Sequence, residues 1–188
     1  MDPTAQRADE TSLTDHAVGP EDAPVTVIEY GDFECPVCAA VEPGLRMLRD
    51  HYGDRIRFIF RHFPLEDAHP HALMAAEATE AAAAQGAFWP MHDRLLASPA
   101  APLRRTDLER HAAELGLDVA RFVAELDDDI YRQRVREHQN VGRRSHIRAT
   151  PAFYVEGRAV DVSGGLAPLS AAIDAALKAY APRQARRH

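Results

Sequence analysis

The sequence predicts a mixed α/β fold in which a small sheet is divided in the chain by a block of helices. Three observations carry this. Short runs rich in β-branched and aromatic residues lie near both ends, VTVIEY at 25–30, IRFIFRHF at 56–63 and AFYV at 152–155. An amphipathic stretch joins the first two, and an unbroken helical pattern fills 71–140. The order is therefore β-α-β, a run of helices, then β-β-α.

Each element has its local reason. The first strand is bounded by Pro24 and Gly31. A helix follows over about 36–51, with Pro36 at a first helical position where no amide donor is needed. Val37, Val41, Leu45, Leu48 and Tyr52 recur at spacings of three and four and form one apolar face. Pro43 inside it should kink the helix. Gly53-Asp54 closes the unit before the second strand, and strand, helix, strand implies a parallel pair with a crossover. Helices are expected at 73–85, 88–96, 119–126 and 130–141. Another starts at Thr106, with Glu109 as its capping-box partner. Glu156-Gly157 turns the strand at 152–155 into 158–162 as a hairpin. A last helix over 168–180 has Leu169, Ile173, Leu177 and Tyr180 on its inner face. Residues 1–23 read as a flexible lead, 24–65 with 148–180 as the sheet core, 66–147 as a helical insertion and 181–188 as a basic tail.

The 188 residues suffice for one domain with an insertion, and the formal net charge is -7. Asp2, Asp9, Glu10, Asp15, Glu21 and Asp22 crowd the start, while Arg183, Arg186 and Arg187 sit near the end. Both runs read as solvated tails rather than nucleic-acid arms. No apolar stretch is long enough for a membrane span, and the start lacks the basic and apolar regions of a signal peptide. With Met1 as the start, the expected location is the cytoplasm.

Two cysteines occur, in the string Cys35-Pro36-Val37-Cys38. They are too few and too close for a disulfide scaffold, which leaves redox chemistry or half of a zinc site. Zinc needs about four ligands. His69 and His71 could add two, but they flank Pro70 in a loop with no partner spacing. Redox chemistry fits better, because the pair lies between a strand and a helix. Amides and dipole at a helix start favour a thiolate and lower its pKa. Cys35, at the open end, is the expected nucleophile. Cys38, one turn inside, is the expected resolving thiol. No metal and no cofactor are expected.

The string Phe33-Glu34-Cys35-Pro36-Val37-Cys38 after VTVIEYGD resembles the DsbA-like branch of the thioredoxin superfamily. Arg61-His62-Phe63-Pro64-Leu65, Phe88-Trp89-Pro90-Met91-His92-Asp93 and Thr150-Pro151-Ala152-Phe153-Tyr154-Val155 extend the likeness over roughly residues 19–180. It implies a thioredoxin core interrupted by a helical domain, and a thiol–disulfide oxidoreductase acting on protein or small thiol partners. It also implies that Pro151 is cis, and that Thr150 and Pro151, with Pro36 and Val37, meet the substrate. Glu29 matches a buried acid that moves protons to and from Cys38. A charged residue on a solvent-facing stretch is the plainer alternative. Relatives often pair that acid with a lysine. Here the only lysine is Lys178, in the last helix, and Arg61 could substitute only as a fixed charge. Val37 stands where the most oxidising members carry histidine, so Cys35 should be less acidic than theirs. His62, His92 and His146 read as packed or surface residues, and Phe88, Trp89 and Met91 as core. Two other functions compete. One is a peptide-binding or chaperone module with incidental cysteines. The other is a glutathione-using enzyme of the kappa-transferase or isomerase type, which normally lacks a resolving cysteine. Oligomeric state and recycling partner are left open.

Overall fold

The computed structural model describes residues 11–12, 15–97 and 103–185. It divides into two compact units. The first comprises 1–30, 43–61 and 141–188, and the second 31–42 and 62–140. The short segment that carries both cysteines groups with the helical unit, whereas the expected division left it with the sheet.

The first unit is built on a five-stranded sheet. Its strands are β1 (His16–Val18), β2 (Val25–Gly31), β3 (Ile56–His62), β4 (Ala152–Val155) and β5 (Arg158–Val160), in the order β1-β3-β2-β4-β5. The central β2 and β3 are buried along nearly their whole length, so their apolar residues form core and their polar members Glu29, Arg61 and His62 are buried with them. β4 runs antiparallel to β2, with Glu29 opposite Phe153 and Tyr30 opposite Ala152. Helices α1 (Pro36–Tyr52) and α7 (Ala167–Ala185) complete this layer, although the first turns of α1 belong to the other unit. The Tyr52 hydroxyl donates to the Ser170 carbonyl at 3.1 Å and to Asp174 at 2.9 Å, and so ties α7 to the end of α1.

β1 corrects the reading of 1–23 as a flexible lead. Ala17 pairs with Ile59 and His16 with Phe60, which brings Asp15 level with Arg61. Asp15 is no solvated tail charge. Both its oxygens receive the Arg61 guanidinium at 2.8 Å, with neither side chain more than 1% exposed. Gly19 ends this strand at φ +91, where an added Cβ would stand 2.1 Å from the Ile56 carbonyl oxygen. Residues 1–10, 13–14 and 186–188, which include most of the expected lead and the end of the basic tail, lie outside the described residues. The tail reading is also corrected at 181–185, which continue α7.

The second unit carries α2 (Ala72–Ala83), α3 (Phe88–Leu96), α4 (Arg105–Glu114), α5 (Val119–Asp127) and most of α6 (Arg132–Arg144). α2 is buried on nearly every side, which its run of alanines permits. Expected boundaries hold within a few residues, but the capping box at Thr106 does not form. Arg104 is the N-cap of α4 without a side-chain cap, and Glu109 instead takes the guanidinium of Arg105 at 2.7 Å. Among the described residues no helix is long and apolar enough to cross a membrane.

Candidate functional site

Cys35 and Cys38 are both free thiols. The site begins with a tight turn in which the Cys35 amide donates to the Asp32 carbonyl at 3.1 Å. The Cys35 carbonyl then accepts from the Ala39 amide at 3.2 Å, the first bond of α1. Cys35 is thus the N-cap, Pro36 the first helical residue and Cys38 the third. A side chain at the N-cap is placed to accept from the amides two and three residues on, which favours negative charge on sulfur.

Burial sorts the four residues of the motif. Cys35 is 5% exposed and Cys38 1%, while Pro36 and Val37 stand in solvent, Val37 at 53%. Val37 therefore leaves the apolar face it was expected to share. Cys38 takes the first place on that face, one turn before Glu42 and two before Leu45, both buried.

The loop before Cys35 is held by two histidines that sequence reasoning treated as ordinary loop residues or spare zinc ligands. Asp32 accepts from the Glu34 amide at 2.8 Å through one oxygen, and from the Leu65 amide at 2.8 Å through the other. That second oxygen also meets His69 Nδ1 at 2.8 Å. His71 grips Glu34 twice, its amide donating at 2.6 Å and its Nδ1 lying 2.8 Å from the carboxylate. Burial, the largest single influence, opposes the charged form of His69, but the hydrogen bond and charge of Asp32 together with the charges of Cys35 and Glu34 outweigh it, and the net shift is upward. Stability drawn from the Asp32–His69 pair is therefore complete below the ring's ordinary pKa. It is lost as pH rises through the higher folded value. One signal could have found the pair. Two acids directly ahead of a nucleophilic cysteine need partners, and a His-Pro-His string supplies two.

Behind this loop Phe33 packs against the rings of His62 and His92, and Phe88 and Trp89 continue the aromatic cluster. His62 and His92 are buried, with Nε2 of His62 at 2.9 Å from Glu80, while His146 is exposed. In the same unit Glu42, His92 and Asp93 each bring one possible metal ligand within 4.8 Å of the others, but His92 Nδ1 and Asp93 are already hydrogen-bonded at 3.0 Å. The group contains no cysteine.

The remaining sequence-derived residues lie in the sheet unit. Glu29 is fully buried on β2, so the solvent-facing alternative does not hold. Arg61 forks onto Asp15 and donates to the Tyr30 hydroxyl at 2.9 Å. Thr150 and Pro151 immediately precede β4, just beyond the Tyr30–Ala152 pair, and the peptide bond between them is cis.

A family model described as thioredoxin matches residues 11–175. The chain belongs to the thioredoxin family. Among solved structures it superposes on BdbD from Bacillus subtilis with a TM-score of 0.75 at 24% identity, covering 86% of this chain and 92% of that one. It superposes on α-DsbA1 from Wolbachia pipientis with a TM-score of 0.79 at 20% identity, covering 93% and 96%. These likenesses show the thioredoxin fold in its DsbA-like form. A curated relative, the Na(+)/H(+) antiporter NhaA 3 of Salinispora tropica, is 48% identical over 159 residues. That match takes in 85% of this chain and 24% of the antiporter, so the chain spans about a quarter of the length of such relatives.

Proposed function

We propose that this thioredoxin-family chain exchanges disulfides with protein or small thiol partners through Cys35 and Cys38. The observation that carries the reading is the position of Cys35 as the cap of α1 with Cys38 three residues inside it. In the reducing direction the Cys35 thiolate attacks one sulfur of a substrate disulfide. A Cys35–substrate bond forms, the substrate S–S bond breaks, and the departing thiolate takes up a proton. Cys38 then loses its proton and attacks the Cys35 sulfur. The second substrate thiol leaves, and two electrons have passed from the pair to the substrate. Oxidation of a substrate dithiol runs the same steps backwards. After reducing a substrate the pair is reset by an external dithiol or two thiols, which leave as a disulfide, and after oxidising one it is reset by an external disulfide, which leaves as two thiols. This chemistry needs no cofactor.

In this reading Glu29 takes the Cys38 proton, and its full burial supports that role. Exposed Pro36 and Val37 form the surface a substrate meets first. The Thr-Pro ahead of β4 is the family's docking element, where the backbone of Thr150 would pair with an extended substrate strand. Pro151→Ala should accordingly prolong mixed disulfides between Cys35 and a protein substrate. Quenched time courses on non-reducing gels would check this, and unchanged lifetimes would remove Pro151 from the reaction. The antiporter names belong to much longer proteins, and ion transport is no part of the reading.

The test is equilibration of the full chain with a series of reduced and oxidised glutathione, followed by alkylation and mass measurement. The two cysteines should oxidise together, with a midpoint at roughly -250 to -150 mV. Helix-start stabilisation pulls toward the oxidising end, and Val37 withholds the further help a histidine would give. In a cytoplasm buffered by glutathione or a comparable thiol, such a pair rests mostly reduced and acts as a reductase or a redox-responsive exchanger. A midpoint near about -120 mV would mark a dedicated oxidase instead. If no Cys35–Cys38 disulfide formed at any poise, the exchange reading would fail.

A further inference from the structure

We propose that His69, clamped by Asp32, is a positioning residue for the Cys35 thiolate: it supplies the positive charge that Val37, between the two cysteines, cannot. The inference deepens the exchange reading and rests on Cys35 being the nucleophile.

The geometry singles out His69 rather than His71. The Asp32 carboxylate is held by the Glu34 and Leu65 amides as well as by His69 Nδ1, and its own carbonyl receives the Cys35 amide. The bond from Nδ1 fixes the ring and leaves Nε2 as its second donor when the ring is charged. Against burial, Asp32, Cys35 and Glu34, all from the loop between β2 and α1, act on this ring to hold its pKa up. Coupling of this kind is reciprocal. If a Cys35 thiolate favours the imidazolium, the imidazolium favours the thiolate by the same amount. The His69 side chain is 19% exposed, so solvent screens it less than a surface ion. His71 is also bonded to an acid of the loop, but it is 29% exposed and turned to Glu34.

The test is the pH dependence of Cys35 alkylation in the Cys38→Ala background. His69→Asn keeps a donor for Asp32 and removes the charge. It should raise the midpoint by about one unit, which slows alkylation about tenfold at pH values below both midpoints, and should leave the high-pH plateau unchanged. His71→Asn should leave the midpoint in place. An unmoved midpoint in His69→Asn, or equal shifts in both variants, would overturn the proposal, because loop packing would then explain everything. Should His69→Asn fail to fold, NMR titration of the His69 ring in the native sequence and in Cys35→Ala decides the matter. The ring pKa should fall when the thiol is removed, and an identical value would overturn the proposal. Alkylation requires only the Cys35 thiol. A chain that exchanges no disulfides would refute the exchange reading, and its Cys35 midpoint would still test the charge of His69.

Discussion

Cys38→Ala should abolish turnover and leave Cys35 covalently joined to its partner, while Cys35→Ala should abolish turnover and trap nothing. The asymmetry follows from their places on α1. Cys35 caps the helix, where the first-turn amides and the dipole stabilise a thiolate, whereas Cys38 lies on the buried face with the apolar stripe of the helix. On the proposed reading, with both present a mixed disulfide at Cys35 would be resolved by attack from Cys38. Without Cys38 the intermediate has no internal exit. Mass spectrometry of complexes isolated under non-reducing conditions would read the result directly. Complexes on Cys38 in the Cys35→Ala variant would reverse the assignment.

The second large effect belongs to stability. Arg61→Ala should cost about 3–5 kcal/mol, because it leaves the Asp15 carboxylate buried without its bidentate partner. For a chain of this size that corresponds to a Tm lower by roughly 6–20 °C. The pair also fastens β1 to β3, so its loss loosens an edge of the sheet as well as stranding a charge. Replacing both residues together, Asp15→Leu with Arg61→Met, should recover much of the loss, since a buried ion pair exchanged for apolar side chains is often nearly neutral. Thermal melts of the two single variants and the double variant would settle the point. A single-variant loss below about 1 kcal/mol would mean the pair behaves like one at the surface.

The strands β2 to β5, the helices and the cysteine motif were legible because each rests on local pattern. β2 and β3 are apolar runs between turn residues, and α1 shows its face at spacings of three and four. What escaped depends on pairing across distance. Asp15 looked like one more charge in an acidic lead, because nothing near it in the chain indicates that three residues of edge strand will set it beside Arg61. His69 and His71 looked like loop residues because their partners, Asp32 and Glu34, lie 37 positions earlier. Val37 was misplaced for a different reason. Periodicity allows either Val37 or Cys38 to open the buried stripe, and only the turn at 32–35 decides which one turns inward.

Both margins of the sheet are strands of three residues, β1 at one side and β5 at the other. A foreign strand laid along either would gain only a few ladder hydrogen bonds before the chain turns away. Exposed Arg158 and Asp161, at the two ends of β5, would oppose a flat apolar approach. The consequence is colloidal. Short, charged margins guard the sheet against recruiting its own kind at its edges, so concentrated solutions should resist the edge-to-edge stacking that seeds fibrils.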